Sequence, residues 1–418
     1  MQTTSDHSPY LRISEHSATL LVNQLSLARA ENNQAIFKFG FGQSPFPVPE
    51  KICQALAESV HHKEYMSVQG HLPLREAIAS FHYEREGKNW HSDNIIIGAG
   101  SKILLFCVMA AFESAEILLP APSWVSYEPQ AKLAGHKTHW LTTSFAEKWK
   151  INAQQLEQFC KDRENPDVPL LLILNYPSNP SGQTYDKSEL LALAEVMRKY
   201  NIIAIADEIY SLLNFQQDQA SIADYYPEGC IVSSGLSKWC GAGGWRLGFM
   251  HIPPQLTHLL ATVIGVASET YSCAPSPIQI AATHAYQEKD LADQFIALQT
   301  KVFAQISHYC VTELQAVGVK VHDAQGGFYL FPDFSNFQHQ LSSKGIHTSE
   351  QLTNAIIAET GVALLAGSAF GMDQFSLTAR LAFVDFEGKQ ISNNDQAEPN
   401  YDRVKTGIKE LCQWLSDL

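Results

Sequence analysis

An α/β fold is what this sequence predicts, a mostly parallel sheet between helices joined to a smaller α+β domain. Three observations carry that expectation. The chain has 418 residues, too many for one small core and enough for two domains. From about residue 94 to residue 250, short unbroken apolar runs alternate with helical stretches, and such runs suit strands buried on both faces. After about residue 290 the alternation gives way to a long helical stretch and a few short strands. The division that follows is a large domain over residues 50–290, with residues 1–49 and 291–418 forming the small domain and an N-terminal arm.

Taken in order, residues 1–35 carry an amphipathic pattern around Leu20, Leu21, Val22, Leu25 and Leu27, which predicts an N-terminal helix. The alternating segment Phe37 to Gly42 runs into Pro45, Pro47 and Pro49, which stop any regular element. Glu50 to about Val60 reads as a helix. Strands are expected at Ile95–Ile97, Ile117–Leu119, Leu170–Leu174, Ile202–Ala206, Ile231–Val232 and Leu247–Met250. Leu291–Val317 has the helical period of a long connector between domains. Gly326–Phe331 reads as a strand, Gly361–Gly371 as strand plus turn, and Thr378–Val384 as an apolar strand.

Residues with chemical potential sit just past the ends of these strands, where open α/β sheets bind ligands. Gly98-Ala99-Gly100-Ser101-Lys102 leads into an apolar helix from Ile103. Such a turn presents free N–H groups and the positive end of a helix dipole to an anion such as phosphate. Trp124, in Pro122-Ser123-Trp124, follows a strand and can stack on a flat ring. Asp207 ends the most apolar strand, where a carboxylate needs a partner; Glu208 beside it reads as an N-terminal helix charge. In Ser233-Ser234-Gly235-Leu236-Ser237-Lys238 a lysine follows small residues, which leaves room for a carbonyl compound to form a Schiff base there. Ser237, Gly241, Gly243 and Gly244 allow a ligand near the backbone, and the planar fork of Arg246 suits a phosphate. Arg380 lies inside an apolar strand and needs an anion, either a bound carboxylate or an internal acid.

Composition narrows the function classes. With 29 basic against 43 acidic residues the net charge is −14, the opposite of a nucleic-acid or anionic-membrane binder. No apolar run reaches the ~18 residues that span a bilayer, and the N-terminus shows no signal-peptide pattern. The eight cysteines are scattered, with no metal spacing, and read as reduced thiols of a cytoplasmic protein.

Gly235-Leu236-Ser237-Lys238 followed by Gly241 to Gly248 resembles the pyridoxal-phosphate lysine signature of class I/II aminotransferases. Four further stretches are similar to that family, from about Phe39 to Val384. They are Tyr65 to Gly70 with Leu74-Arg75, the tetrad Asn179-Pro180-Ser181-Gly182, Asp207-Glu208-Ile209-Tyr210, and the strand of Arg380. The resemblance implies a fold-type-I architecture and a homodimer. It implies that Lys238 holds pyridoxal 5'-phosphate, Asp207 keeps its ring nitrogen protonated, and Asn179 and Tyr210 hydrogen-bond its phenolic oxygen. Trp124 would stack on the ring, while Gly100, Ser101, Lys102, Ser237 and Arg246 would surround its phosphate end. Tyr65 would reach that phosphate from the other subunit. Arg380 would pair with a substrate α-carboxylate near Gly42 and Asn179. The expected reaction moves an amino group between an L-amino acid and a 2-oxo acid. A C–S lyase, decarboxylase or aminocyclopropane-carboxylate synthase reaction on the same scaffold stays open, and a ligand-sensing regulator is the non-enzymatic rival. Glu269, in Ser268-Glu269-Thr270, stands near where one branch of aspartate aminotransferases has a dicarboxylate-binding arginine before Tyr271-Ser272.

Overall fold

The computed structural model describes residues 26, 27, 29, 31, 32, 34–216, 220–388 and 400–418. Most of the expected N-terminal helix, including Leu20 to Leu25, lies outside the described residues. Among them a seven-stranded sheet runs in the order β1-β7-β6-β5-β4-β2-β3. Its strands are β1 (Ile95–Gly98), β2 (Glu116–Ala121), β3 (Lys137–Thr142), β4 (Leu170–Asn175), β5 (Ile203–Asp207), β6 (Cys230–Gly235) and β7 (Gly248–His251). Neighbours from β3 through β6 pair in parallel; β7 runs antiparallel to both β1 and β6. The reversal follows from the short link between β6 and β7, which is too brief for a crossover helix.

The apolar runs are continuous because helices cover both faces. Ile117, Leu119, Leu171, Ile173, Ile205 and Ile231 pack to one side with Leu104, Val108 and Val263. The intervening Leu118, Leu170, Leu172, Leu174, Ala206 and Val232 pack to the other with Leu156, Leu190 and Leu193. Each large aliphatic side chain so buried contributes about 1.5–3 kcal/mol. The edge strand β3 is half-exposed along its length.

A second, three-stranded antiparallel sheet has the order β8-β10-β9, with β8 (Tyr329–Leu330), β9 (Leu365–Ala366) and β10 (Ala379–Ala382). The segment near the N-terminus joins it: Phe37 bridges Val362, and the Ala382 N–H donates to the Phe39 carbonyl at 2.8 Å. A 28-residue helix, Lys289–Ala316, links the two sheets and spans about 42 Å at its standard rise.

Candidate active site

The parallel strands deliver their C-terminal ends to one edge of the large sheet, and the small sheet packs over that edge. Asp207 is the last residue of β5, paired in register with Asn175 of β4 and Ser233 of β6. Its Oδ2 accepts a 2.6 Å hydrogen bond from the Tyr127 hydroxyl, while its buried Oδ1 has no partner. Burial pushes the carboxyl up to about 6, against the pull of Tyr127, the Ile209 N–H and Lys238. Asn175 ties the neighbouring strand end in place, donating to the Asp207 carbonyl at 2.7 Å and accepting the Asn179 N–H at 2.6 Å.

Arg380 enters from β10 and is 2% exposed. Its Nη1 donates to the Asn179 side-chain oxygen at 3.0 Å and its Nη2 to the Gly40 carbonyl at 2.6 Å. Its Nε is buried without a partner. No carboxylate pairs with it among the described residues. The guanidinium lies 4.8 Å from the centre of the Tyr329 ring and 5.1 Å from that of Phe370.

Lys238 lies in the turn after β6. Its Nζ donates to the Gly42 carbonyl at 2.9 Å and sits 5.2 Å from the Tyr210 ring and 5.3 Å from the Phe328 ring. Burial lowers its affinity for a proton, and the charges of Arg380 and Arg246 act in the same direction. The Tyr210 hydroxyl meets that of Tyr329 at 2.8 Å.

At the other end of the cleft, Gly100 caps the helix Ser101–Ala110 with φ 92°. A Cβ on Gly100 would lie 2.2 Å from Arg246 Nη2, so only glycine lets the guanidinium approach this turn. Arg246 itself has φ 57° and donates to the Gly243 carbonyl at 2.9 Å. Lys102 Nζ stands 5.2 Å from the centre of the Trp124 ring. Burial and the charge of Arg246 both lower its proton affinity. Ser237 is half-buried near Gly243. Two cations, a glycine turn and a helix N-terminus thus converge with no carboxylate bonded to either cation among the described residues, which is an anion-binding arrangement.

Tyr65 is the exception among the sequence candidates. It is 89% exposed and joins none of these groups within its own chain. Glu208 requires a correction. It is 4% exposed, no α-helix follows it, and only a short 3-10 turn does, Ser211–Leu213. Its carboxylate accepts from the Tyr176 hydroxyl at 3.1 Å and lines a cavity of about 710 Å3 with Lys88, Ser221 and Asp224. Burial pushes it up to about 7, opposed by Lys88 and by hydrogen bonds from Ser221 and Tyr176. Tyr127, Asn175, Phe328 and Tyr329 were not singled out from sequence. The spacing Trp124-x-x-Tyr127 at a helix start was an available signal for the first of them.

The unpartnered Oδ1 of Asp207, the reactive lysine and the anion cradle fit a flat, phosphorylated, protonated heterocycle with an aldehyde. Fold and cleft together define a fold-type-I pyridoxal-phosphate enzyme. The profile of the family "Aminotransferase class I and II" matches residues 34–385, and the chain belongs to that family. It is a pyridoxal-phosphate-dependent aminotransferase. It is 28% identical over 368 residues to the asparagine–oxo-acid transaminase of Streptococcus mutans serotype c, covering 85% of this chain and 90% of that one. It is also 28% identical over 365 residues to the aspartate aminotransferase of Bacillus sp. strain YM-2, covering 85% and 89%. The fold superposes on an aspartate aminotransferase from Thermus thermophilus with maleate at a TM-score of 0.83, covering 99% of this chain and 100% of that one at 21% identity. Among the described residues no helix is long and apolar enough to cross a membrane, and no group of His, Cys, Asp or Glu is arranged to hold a metal.

Proposed function

We propose that Lys238 holds the cofactor and moves the proton during amino transfer, and that Arg380 binds the α-carboxylate of both amino acid and oxo acid. When bound, pyridoxal phosphate supplies a carbonyl that condenses with amino groups and a protonated ring that draws electrons from the substrate α-carbon. Asp207 Oδ1 would take the ring N–H, Asn179 Nδ2 and the Tyr210 hydroxyl the phenolic oxygen, and Trp124 one ring face. Gly100, Ser101, Lys102, Ser237 and Arg246 would take the phosphate. Released from its bond, the Lys238 amine is a free base near neutral pH, since burial disfavours its charged form. It would accept the proton from the substrate α-carbon and return it to the cofactor's C4′.

The observation that carries this reading is Arg380: a buried guanidinium with an unused Nε and no acid beside it, a few contacts from the lysine. An unpaired buried cation is costly, and a substrate carboxylate supplies the missing anion with fork geometry. Gly42 contributes its carbonyl to Lys238, so its place is beside the reacting amine. Aspartate and asparagine are the first donors to consider, because relatives bear those names. Tyr65, exposed here, fits the role of a residue lent to the other site of a two-fold dimer. All eight cysteines are unpaired, which suits a cytoplasmic setting. The large domain of residues 50–290 and the two-ended small domain belong to the same proposal.

The test is a half-reaction. Loaded enzyme given an amino donor alone should release one equivalent of the matching 2-oxo acid and stop until an oxo acid is added. Continued release of ammonia or carbon dioxide would instead indicate lyase or decarboxylase chemistry. Aspartate, asparagine, aromatic and aliphatic donors, tried against 2-oxoglutarate, then rank the side-chain preference.

A further inference from the structure

Tyr329 stands where three functional groups meet. It opens β8 and is 1% exposed. Its hydroxyl lies 2.8 Å from that of Tyr210, and its ring centre lies 4.8 Å from Arg380. Gly42, whose carbonyl accepts the Lys238 amine, approaches so closely that a Cβ there would lie 1.9 Å from the Tyr329 hydroxyl oxygen.

The direction of the phenol pair follows from counting protons. Each phenol donates once. If Tyr210 spends its proton on the cofactor's phenolic oxygen, the bond between the two tyrosines must be donated by Tyr329. The Tyr210 oxygen is also the sole hydrogen-bond partner of the Tyr329 hydroxyl among the described residues. We propose that Tyr329 is a positioning residue that acts through Tyr210, its hydroxyl committing the Tyr210 proton to the cofactor oxygen while its ring forms the floor under Arg380. This rests on the reading of Tyr210 given above.

The consequence has a sign. A donor that is itself hydrogen-bonded donates more strongly, and a stronger donor stabilises the anionic phenolic oxygen. The bound cofactor then loses its titrating proton at lower pH. Removing the Tyr329 hydroxyl should raise that pH. The ring's separate task is steric and electrostatic, holding the guanidinium in the plane its carboxylate partner needs.

Two substitutions at Tyr329 separate these tasks, with Tyr210→Phe as reference, all measured on loaded enzyme. The main readout is the pH midpoint at which the visible absorption band changes. Tyr329→Phe keeps the ring and should move the midpoint up by about 0.5–1 unit. It should lower kcat about three- to tenfold with KM for the amino donor nearly unchanged. Tyr329→Leu should give the same spectral shift and also raise KM at least about threefold, as the floor under Arg380 is lost. A midpoint shift in Tyr210→Phe but none in Tyr329→Phe overturns the proposal and leaves the Tyr210 assignment standing. No shift in either variant overturns the Tyr210 assignment itself, and the proposal with it. A purely packing role for Tyr329 would lower the melting temperature in both its variants and leave the midpoint of Tyr329→Phe where it was.

Discussion

Arg380 is the residue whose environment says most about substrate. Its Nη groups are held by Asn179 and the Gly40 carbonyl, and aromatic rings lie on both sides. These are neutral partners, which orient a guanidinium but do not neutralise it. Arg380→Lys keeps the charge and loses the fork. We expect KM for amino donors and oxo acids alike to rise at least about tenfold, with the melting temperature of the loaded enzyme close to that of the parent. Steady-state kinetics on two unrelated donors, with a thermal scan, check this. A lower melting temperature with unchanged KM would remove Arg380 from substrate binding, because only an internal acid partner produces that pattern.

At the scale of the element, the end of β5 puts two adjacent carboxyls into opposite environments. Asp207 faces Tyr127 and Lys238; Glu208 faces Tyr176, Ser221 and Lys88. Both lie above their ordinary range when folded, at about 6 and about 7. The unfolded chain releases these protons at lower pH, so their contribution is present in full below about pH 4 and declines as pH rises. Asp207 loses its share through about pH 6 and Glu208 through about pH 7, each up to about 3 kcal/mol at one pKa unit per 1.4 kcal/mol. Glu208→Gln removes one share. The cofactor-free variant should therefore gain stability relative to the parent between pH 5.5 and pH 8 in denaturant titrations; a gap that stays constant would mean Glu208 does not titrate in that window. How much of this was legible in the sequence depends on distance along the chain. Lys238, Asp207, Asn179 and Arg380 could be read because each sits at a strand end or inside an apolar strand with its motif around it. Tyr127 and Tyr329 could not, since their partners lie 80 and 119 residues away and local pattern says nothing of such pairs. Strand β3 was missed because an edge strand exposed along one face has no unbroken apolar run. Glu208 was misread because a carboxylate after a strand looks the same in sequence whether a helix or a buried tyrosine follows it.

The whole molecule is proposed to work as a pair. Tyr65, at 89% exposure, stands apart from the cleft it resembles a part of, and a two-fold partner would bring it to the other site. Mixing Lys238→Ala with Tyr65→Phe subunits tests this. Hybrid dimers should then carry one site with both residues intact, so about a quarter of all sites should regain parental cofactor affinity and turnover. Activity that stays at the sum of the two parent variants would place Tyr65 in its own subunit's site or outside either. All of these expectations depend on the identity of the cofactor lysine. The loaded enzyme, reduced with borohydride and digested, should yield a single pyridoxyl-phosphate-modified peptide, the one containing Lys238, and Lys238→Ala should yield none. A modified peptide carrying Lys102, or any lysine other than Lys238, would contradict the account at its centre.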